Sequence, residues 1–234
     1  MFIKFGIDGT GPISDAKYAK NFANSHVKKI CSGVNEYVRG PIGPGGGMPE
    51  GIATGLDAIA QKRLVNADAP ILLTGYSRGG LGAVVIAKRL RKEGIPVEAM
   101  LLFDCVDRHI AYDAAEVPDN VKFVHHVRRS PLARSRMSFG NDATEAQDPT
   151  KTDYTESFYV CTHGAMGGTP WKPKSGQVKS DFIDEGFGEA YISTGSVVRA
   201  AFYRTNVTFA QDDAMSQQIW RDIQGFARTH GFLQ

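Results

Sequence analysis

Cysteine is scarce in this chain. Cys31, Cys105 and Cys161 are an odd number at wide spacing, which argues against a disulfide framework or a zinc knuckle. Three buried, reduced thiols are expected instead. No apolar run approaches the ~20 residues that a bilayer-spanning helix needs. No stretch is rich in Lys or Arg, and a net charge of +2 with a pI near 8.4 gives no ground for a nucleic-acid partner. Repeats, low-complexity tracts and linkers are absent. The first residues, Met1–Ile7, have neither the apolar centre nor the small-residue cleavage site of a signal peptide. A cytoplasmic protein is therefore expected, with export by a signal-independent route left open. No set of His and carboxylates carries metal-ligand spacing, so neither a metal nor a cofactor is expected.

What is present suits one globular domain over residues 1–234, with 42% hydrophobic and 22% charged residues. Residues 2–8 alternate like a strand, and Ser14 offers an N-cap to a helix running to about Cys31. Residues 35–39 form a short second strand. The stretch Gly40–Gly47 can be neither helix nor ladder. A helix from about Pro49 to Leu64 follows, with Ile52, Leu56 and Ile59 on one face. Ala69–Thr74 and Val97–Phe103 read as fully buried strands flanking a helix from Leu81 to Arg91. Val121–Val127 and Ser157–Cys161 are further strands. From Gly188 onward the pattern reads as helical, the last helix carrying Ile219, Ile223 and Phe226. Repeated β-α-β order predicts an α/β fold of three layers, a mostly parallel sheet covered by helices on both faces. Arg128–Thr155 is polar and long enough for a lid or insertion.

Between the third strand and its helix stands Gly75-Tyr76-Ser77-Arg78-Gly79. A strand that turns sharply into a helix strains the central residue and leaves room only for small neighbours two positions away. Gly75 and Gly79 meet that demand, and Gly80 lets the helix pack close. Such a nucleophile elbow would lift Ser77 Oγ to the carboxyl edge of the sheet. It would also aim the Arg78 N–H, at a helix N-terminus, toward a developing oxyanion.

A serine nucleophile needs a base, and the base an orienting acid. Among the downstream histidines, His163 ends an apolar run and precedes a Gly-rich loop able to carry it over the elbow. His125 and His126 lie within a strand, one facing the core, and His230 sits on a solvated terminal helix. For the acid, Asp104 ends the strand next to the nucleophile strand. Asp107 is its nearest rival, with Asp142 and Asp148 in the later loop.

With these residues in view, the sequence resembles a family of bacterial and fungal α/β hydrolases whose catalytic domain occurs in type VI secretion phospholipase effectors. The resemblance rests on Phe5-Gly6-Ile7-Asp8-Gly9-Thr10, the Gly40–Gly47 loop, Gly75–Gly79, Phe103-Asp104 and Val160–Gly168, collinear over residues 1–170. It implies Ser77, Asp104 and His163 as a catalytic triad, and Gly9 or Thr10 as part of the oxyanion hole. Ala165 stands where that family places an acidic residue, and the effectors' large membrane-engaging additions are missing.

The expected activity is hydrolysis of a carboxylic ester, lipase- or esterase-like, through an acyl-enzyme, with a small-molecule ester or lipid as substrate. Transient contact with a membrane surface is compatible with it, and the oligomeric state is left open. A catalytically inactive hydrolase fold serving as a binding protein, and an acyltransferase, are the alternatives. Asp8 reads as a turn carboxylate bonding backbone N–H groups. Arg128, Arg129, Arg134 and Arg136 read as the charges of a solvated loop.

Overall fold

Apolar, β-branched runs supply the strands, and in the computed structural model six of them lie side by side in one parallel sheet. The structure describes residues 2–42, 46–106, 111–173, 181–191 and 197–234, with the backbone alone for 138, 186–191 and 197–203. The chain begins with β1 (Ile3–Ile7), two short helices α1 (Asp15–Asn21) and α2 (His26–Ile30), and β2 (Tyr37–Val38). Helix α3 (Met48–Val65) leads to β3 (Ile71–Tyr76), α4 (Arg78–Lys92) and β4 (Val97–Phe103). Then come β5 (Glu116–Val117), β6 (Val121–Arg129), β7 (Glu145–Ala146), β8 (Asp153–Tyr159) and the one-turn helix α5 (His163–Met166). A hairpin of β9 (Phe182–Tyr191) and β10 (Val197–Thr208) precedes α6 (Phe209–Asp222) and α7 (Gln224–Thr229).

The sheet order is β2-β1-β3-β4-β6-β8, while β5 and β7 form a separate parallel pair. Side chains alternate between two cores, as a two-residue period requires. Leu73, Met100 and Leu102 join the core under α3 and α4, whereas Leu72, Leu101 and Phe103 join the one under α2, α5, α6 and α7. Central strands buried on both faces explain why β3 and β4 read as unbroken apolar runs. Cys31, Cys105 and Cys161 are buried, and among the described residues none forms a disulfide. Among the described residues no helix is long and apolar enough to cross a membrane.

Three differences from the expected elements have local causes. The helix from Ser14 ends at Asn21, and a second starts at Ser25, whose hydroxyl accepts from the Lys28 N–H. There the His26 N–H donates to the Gly167 carbonyl, so a tertiary bond sets the break. Beyond Gly188 the described residues up to Thr208 belong to the paired strands β9 and β10, and helix begins only where Thr208 caps α6. The Val-, Tyr- and Thr-rich run 197–208 follows β preference rather than a helical period. Finally, β6 reaches Arg129 and β8 starts at Asp153, so the polar segment between them is shorter than expected and ends in strand at both sides.

The close approach of α4 to the sheet rests on glycine. A Cβ on Gly79 would lie 2.1 Å from the Ile7 carbonyl oxygen and 2.4 Å from that of Asp8, both backbone atoms that cannot swing aside. Gly79→Ala is therefore expected to lower the thermal unfolding midpoint severely or prevent soluble expression. Gly225→Ala, in helix α7 with nothing within 4 Å of its added methyl, should instead stabilise by roughly 0.5 kcal/mol. Paired thermal melts check both signs.

Candidate active site

Ser77 sits between the last residue of β3 and the first of α4 with φ +57° and ψ −130°, a conformation that non-glycine residues rarely adopt. It is held there from both sides. The Ser77 N–H donates to the Phe103 carbonyl at 2.9 Å, and the Ser77 carbonyl accepts from the Gly80 N–H at 2.9 Å. Glycines make the turn feasible: a Cβ on Gly75 would stand 2.4 Å from the Gly79 carbonyl oxygen. A Cβ on Gly80 would lie 2.9 Å from the Cys105 side chain, just past β4, rather than against a strand.

The strand ends of β4 and β8 deliver the other groups. His163 Nε2 lies 2.8 Å from Ser77 Oγ, and His163 Nδ1 lies 2.6 Å from Asp104 Oδ2. All three residues are buried, with Ser77 4%, His163 7% and Asp104 0% exposed. Asp142 and Asp148, the later candidates for the acid, lie elsewhere. Asp148 caps Thr150 at the surface, and the Asp142 backbone pairs with Cys105. Asp107 and His109 lie outside the described residues.

Burial would raise the Asp104 carboxyl, but the Arg129 guanidinium and His163 outweigh it and hold the group below the ordinary carboxylate range. Arg129 Nη1 binds Asp104 Oδ2, and the Arg129 N–H donates to Oδ1 at 3.3 Å. For His163, burial dominates and pushes the imidazole below its usual value, against the pull of Asp104. The ring is thus neutral at pH 7, with Nδ1 donating to the ionised carboxylate and Nε2 left to accept from Ser77.

At the end of β1, Gly9 and Thr10 approach the elbow. The Gly9 N–H already donates to Asp8 Oδ1 at 2.8 Å, while Thr10 Oγ1 accepts from Arg78 Nε at 2.6 Å. Of the two, Gly9 thus has its backbone N–H engaged by Asp8, while Thr10 lies beside Arg78, the first residue of α4. Asp8 is the turn carboxylate expected, also accepting from the Tyr37 hydroxyl at 2.9 Å. Burial raises its carboxyl to about 6, against lowering bonds from Ser25, Gly9 and Tyr37. Among the described residues no group of His, Cys, Asp and Glu is arranged to hold a metal ion.

A thioesterase-domain family model matches residues 50–169, which contain the elbow, Asp104 and His163. The chain belongs to the thioesterase-domain family. Among solved structures, the RedJ thioesterase of the prodiginine pathway of Streptomyces coelicolor is similar at 13% identity, covering 70% of this chain and 80% of that one, with a TM-score of 0.38. The surfactin-cyclising thioesterase domain SrfTE is similar at 15% identity, with 70% and 84% covered and a TM-score of 0.38. A YdeN-like hydrolase from Pectobacterium atrosepticum has 12% identity, with 73% and 85% covered and a TM-score of 0.35. No curated protein matches. The family match supports a hydrolase of esters or thioesters, and no comparison singles out phospholipase effectors.

Several residues that matter to this thioesterase-domain site escaped sequence reading. Arg129, expected in a solvated loop, is buried at 8% exposure and engages all three guanidinium nitrogens: beyond Asp104 it binds the carbonyls of Ser135, Arg136 and Gly140. Ser135 Oγ accepts from the His163 N–H at 2.8 Å and donates to Glu185 at 3.0 Å. Asp212, on α6, takes the N–H and hydroxyl of Thr162 and the N–H of Trp171, fixing both ends of the turn that carries His163. Tyr76 donates to the His163 carbonyl at 2.8 Å. Its ring is wedged where a Cβ on Gly9 or Gly167 would come within about 2.5 Å, so these glycines fit an aromatic between two turns. None has a local sequence signal, because each partner is distant along the chain.

His125, His126 and His230 have packing roles. His126 is buried, accepts from the Cys105 N–H at 3.0 Å and is pushed down to about 4 by burial. His125 packs against Phe226, and His230, expected in solvent, is half-buried against Phe123 and Phe226.

Removing one member of a buried charge pair strands the other. Arg129→Met is expected to cost about 3–5 kcal/mol in urea unfolding at pH 7. Because the Asp104 pKa is depressed in the fold, the stability it contributes is present above the ordinary Asp range and is lost as pH falls below it. The gap between wild type and Arg129→Met should therefore narrow on acidification toward pH 3.

Proposed function

We propose that the chain hydrolyses acyl esters or thioesters through a covalent intermediate on Ser77. The observation that carries this reading is the continuous hydrogen-bonded chain from Ser77 Oγ through His163 to Asp104, mounted on a strained elbow. As Oγ attacks the acyl carbonyl carbon, His163 Nε2 takes its proton, and the ionised Asp104 stabilises the imidazolium that results. The N–H groups of Arg78 and Thr10 receive the oxyanion. Collapse of the tetrahedral adduct breaks the carbonyl's bond to the leaving oxygen or sulfur, which departs with the proton from His163. Water, deprotonated by the same imidazole, then releases the acid and restores Ser77.

The acyl side of the substrate is apolar in this reading. Phe139 meets His163 edge-on at 5.1 Å, and on the same segment Leu132 and Met137 are largely exposed. An acyl chain, whether of a soluble thioester, a simple ester or a phospholipid, would meet that lip. An apolar lip of this kind favours medium or long chains over acetyl, and a carboxylic ester or thioester over a peptide.

A fluorophosphonate probe tests the nucleophile: wild type should label and Ser77→Ala should not, with turnover falling roughly 10⁶-fold in the variant. A properly folded wild type that resists labelling would sink the proposal. Acyl thioesters and nitrophenyl esters of matched chain length, run beside phospholipid vesicles, rank the leaving groups. Since burial lowers the His163 pKa from its usual value, the acid limb of kcat/KM should have its midpoint below pH 6.5.

A further inference from the structure

A second concavity of about 760 Å³ opens between the end of α1, α2, the segment 168–172 and α6. Its size is that of a small-molecule site. None of Ser77, Asp104 and His163 lines it. Its floor is aromatic: His26 stacks on Trp220 with ring centroids 5.4 Å apart and planes 20° from parallel, and Trp171 stands on the wall. The rim carries Lys20, Lys29, Lys172 and Arg221, none of which forms an ion pair among the described residues. Asp213, the one carboxylate there, already accepts from Gln217.

The feature without an internal explanation is His26. It is 1% exposed, it lines the cleft, and among the described residues neither ring nitrogen has a hydrogen-bond partner. The Ser216 carbonyl lies beside the ring without completing a bond. Buried polar groups are nearly always satisfied, so an orphaned imidazole at the bottom of an open cleft calls for a partner from outside. Burial keeps the ring neutral, with its pKa near 3, so it offers one donor and one acceptor, as the edge of a heteroaromatic ring requires.

We propose that this cleft binds a small molecule combining a planar ring with two or more negative charges, of which a nucleotide is the leading form and an aromatic dicarboxylate the other source. The ring would lie among Trp171, Trp220 and His26, and the anionic groups would meet the four cations. One cation is already placed for this arrangement: Lys29 Nζ sits 4.9 Å from the centroid of the Trp220 ring. The inference stands apart from the reaction proposed at Ser77.

The chain's only two tryptophans both line the cleft, so intrinsic fluorescence reads its occupancy directly. Titration of the whole protein with adenosine 5′-diphosphate, excited at the red edge of indole absorption, should give a saturable change. Phthalate serves as the dicarboxylate arm, and adenosine and inorganic phosphate as half-ligands. The fuller ligand of the preferred source should bind at least about tenfold tighter than either half. Lys20→Glu/Arg221→Glu, a reversal of two exposed charges, should weaken it by at least about tenfold, whereas Ser77→Ala should bind as wild type. The proposal is overturned if neither diphosphate nor phthalate saturates, if sodium chloride of equal ionic strength reproduces the change, or if the charge-reversed protein binds unchanged. Loss of binding in Ser77→Ala would overturn the separation of the two sites.

Discussion

The buried negative charge of Asp104 is the constraint around which the sheet edge is organised. A carboxylate with no exposed surface is costly unless opposite charge and hydrogen bonds surround it. Arg129 supplies both at once, from the end of the neighbouring strand β6. Because a guanidinium is a fork with donors in a fixed plane, neutralising Asp104 leaves Nε and Nη2 aimed away from it. These collect the carbonyls of Ser135, Arg136 and Gly140, and so fold the segment after β6 down over the strand ends. That segment in turn brings Ser135 Oγ to the His163 backbone and Phe139 to its ring. One ion pair thus sets the charge state of the acid, the course of a loop and one wall of the site.

Rigidity at the elbow comes from close backbone approach. Ser77 and Asp104, neighbours across β3 and β4, both have positive φ, at +57° and +46°. Strained residues of this kind persist only where their surroundings over-determine them. Here the surroundings are the carbonyls of Ile7 and Asp8 against Gly79, the Phe103 carbonyl on the Ser77 N–H, and the Val127 carbonyl on the Asp104 N–H. Tyr76 extends the same rigidity sideways, since its ring and hydroxyl tie the elbow to the turn bearing His163. The serine, imidazole and carboxylate are therefore spaced by strand ends and packed rings more than by any flexible loop.

The turn of α5 lies between the Ser77 elbow and the aromatic cleft. On one side His163 faces Ser77. On the other, Gly168 packs against His26, and the Gly167 carbonyl accepts from the His26 N–H. Asp212 braces this turn from α6, the helix that also forms a wall of the aromatic cleft. A buried carboxylate bonded to two backbone N–H groups and a hydroxyl is a stiff strut, so contacts on the cleft side and the reacting side bear on a common framework.

Order along the chain determined much of this. Apolar runs without alternation marked β3 and β4 as buried, because a parallel strand covered on both faces has no polar side to show. Gly75-Tyr76-Ser77-Arg78-Gly79 between strand and helix marked the elbow, because so sharp a turn admits only a few residue types. Ser77, His163 and Asp104 each follow an apolar run, and parallel strands end on one side, but it was the family resemblance that chose Asp104 among its rivals and joined the three as a set. What the sequence left undecided depends on partners far apart in it. Arg129 looked like a loop charge until Asp104 came within reach of it, and Asp212 and Glu185 had no visible reason to be buried. The stretches 188–191 and 197–208 misled for the converse reason: antiparallel strand pairing, not local periodicity, decides their form. Short-range sterics is written in neighbouring residues, whereas the compensation of a buried charge is settled only when the chain has closed around it.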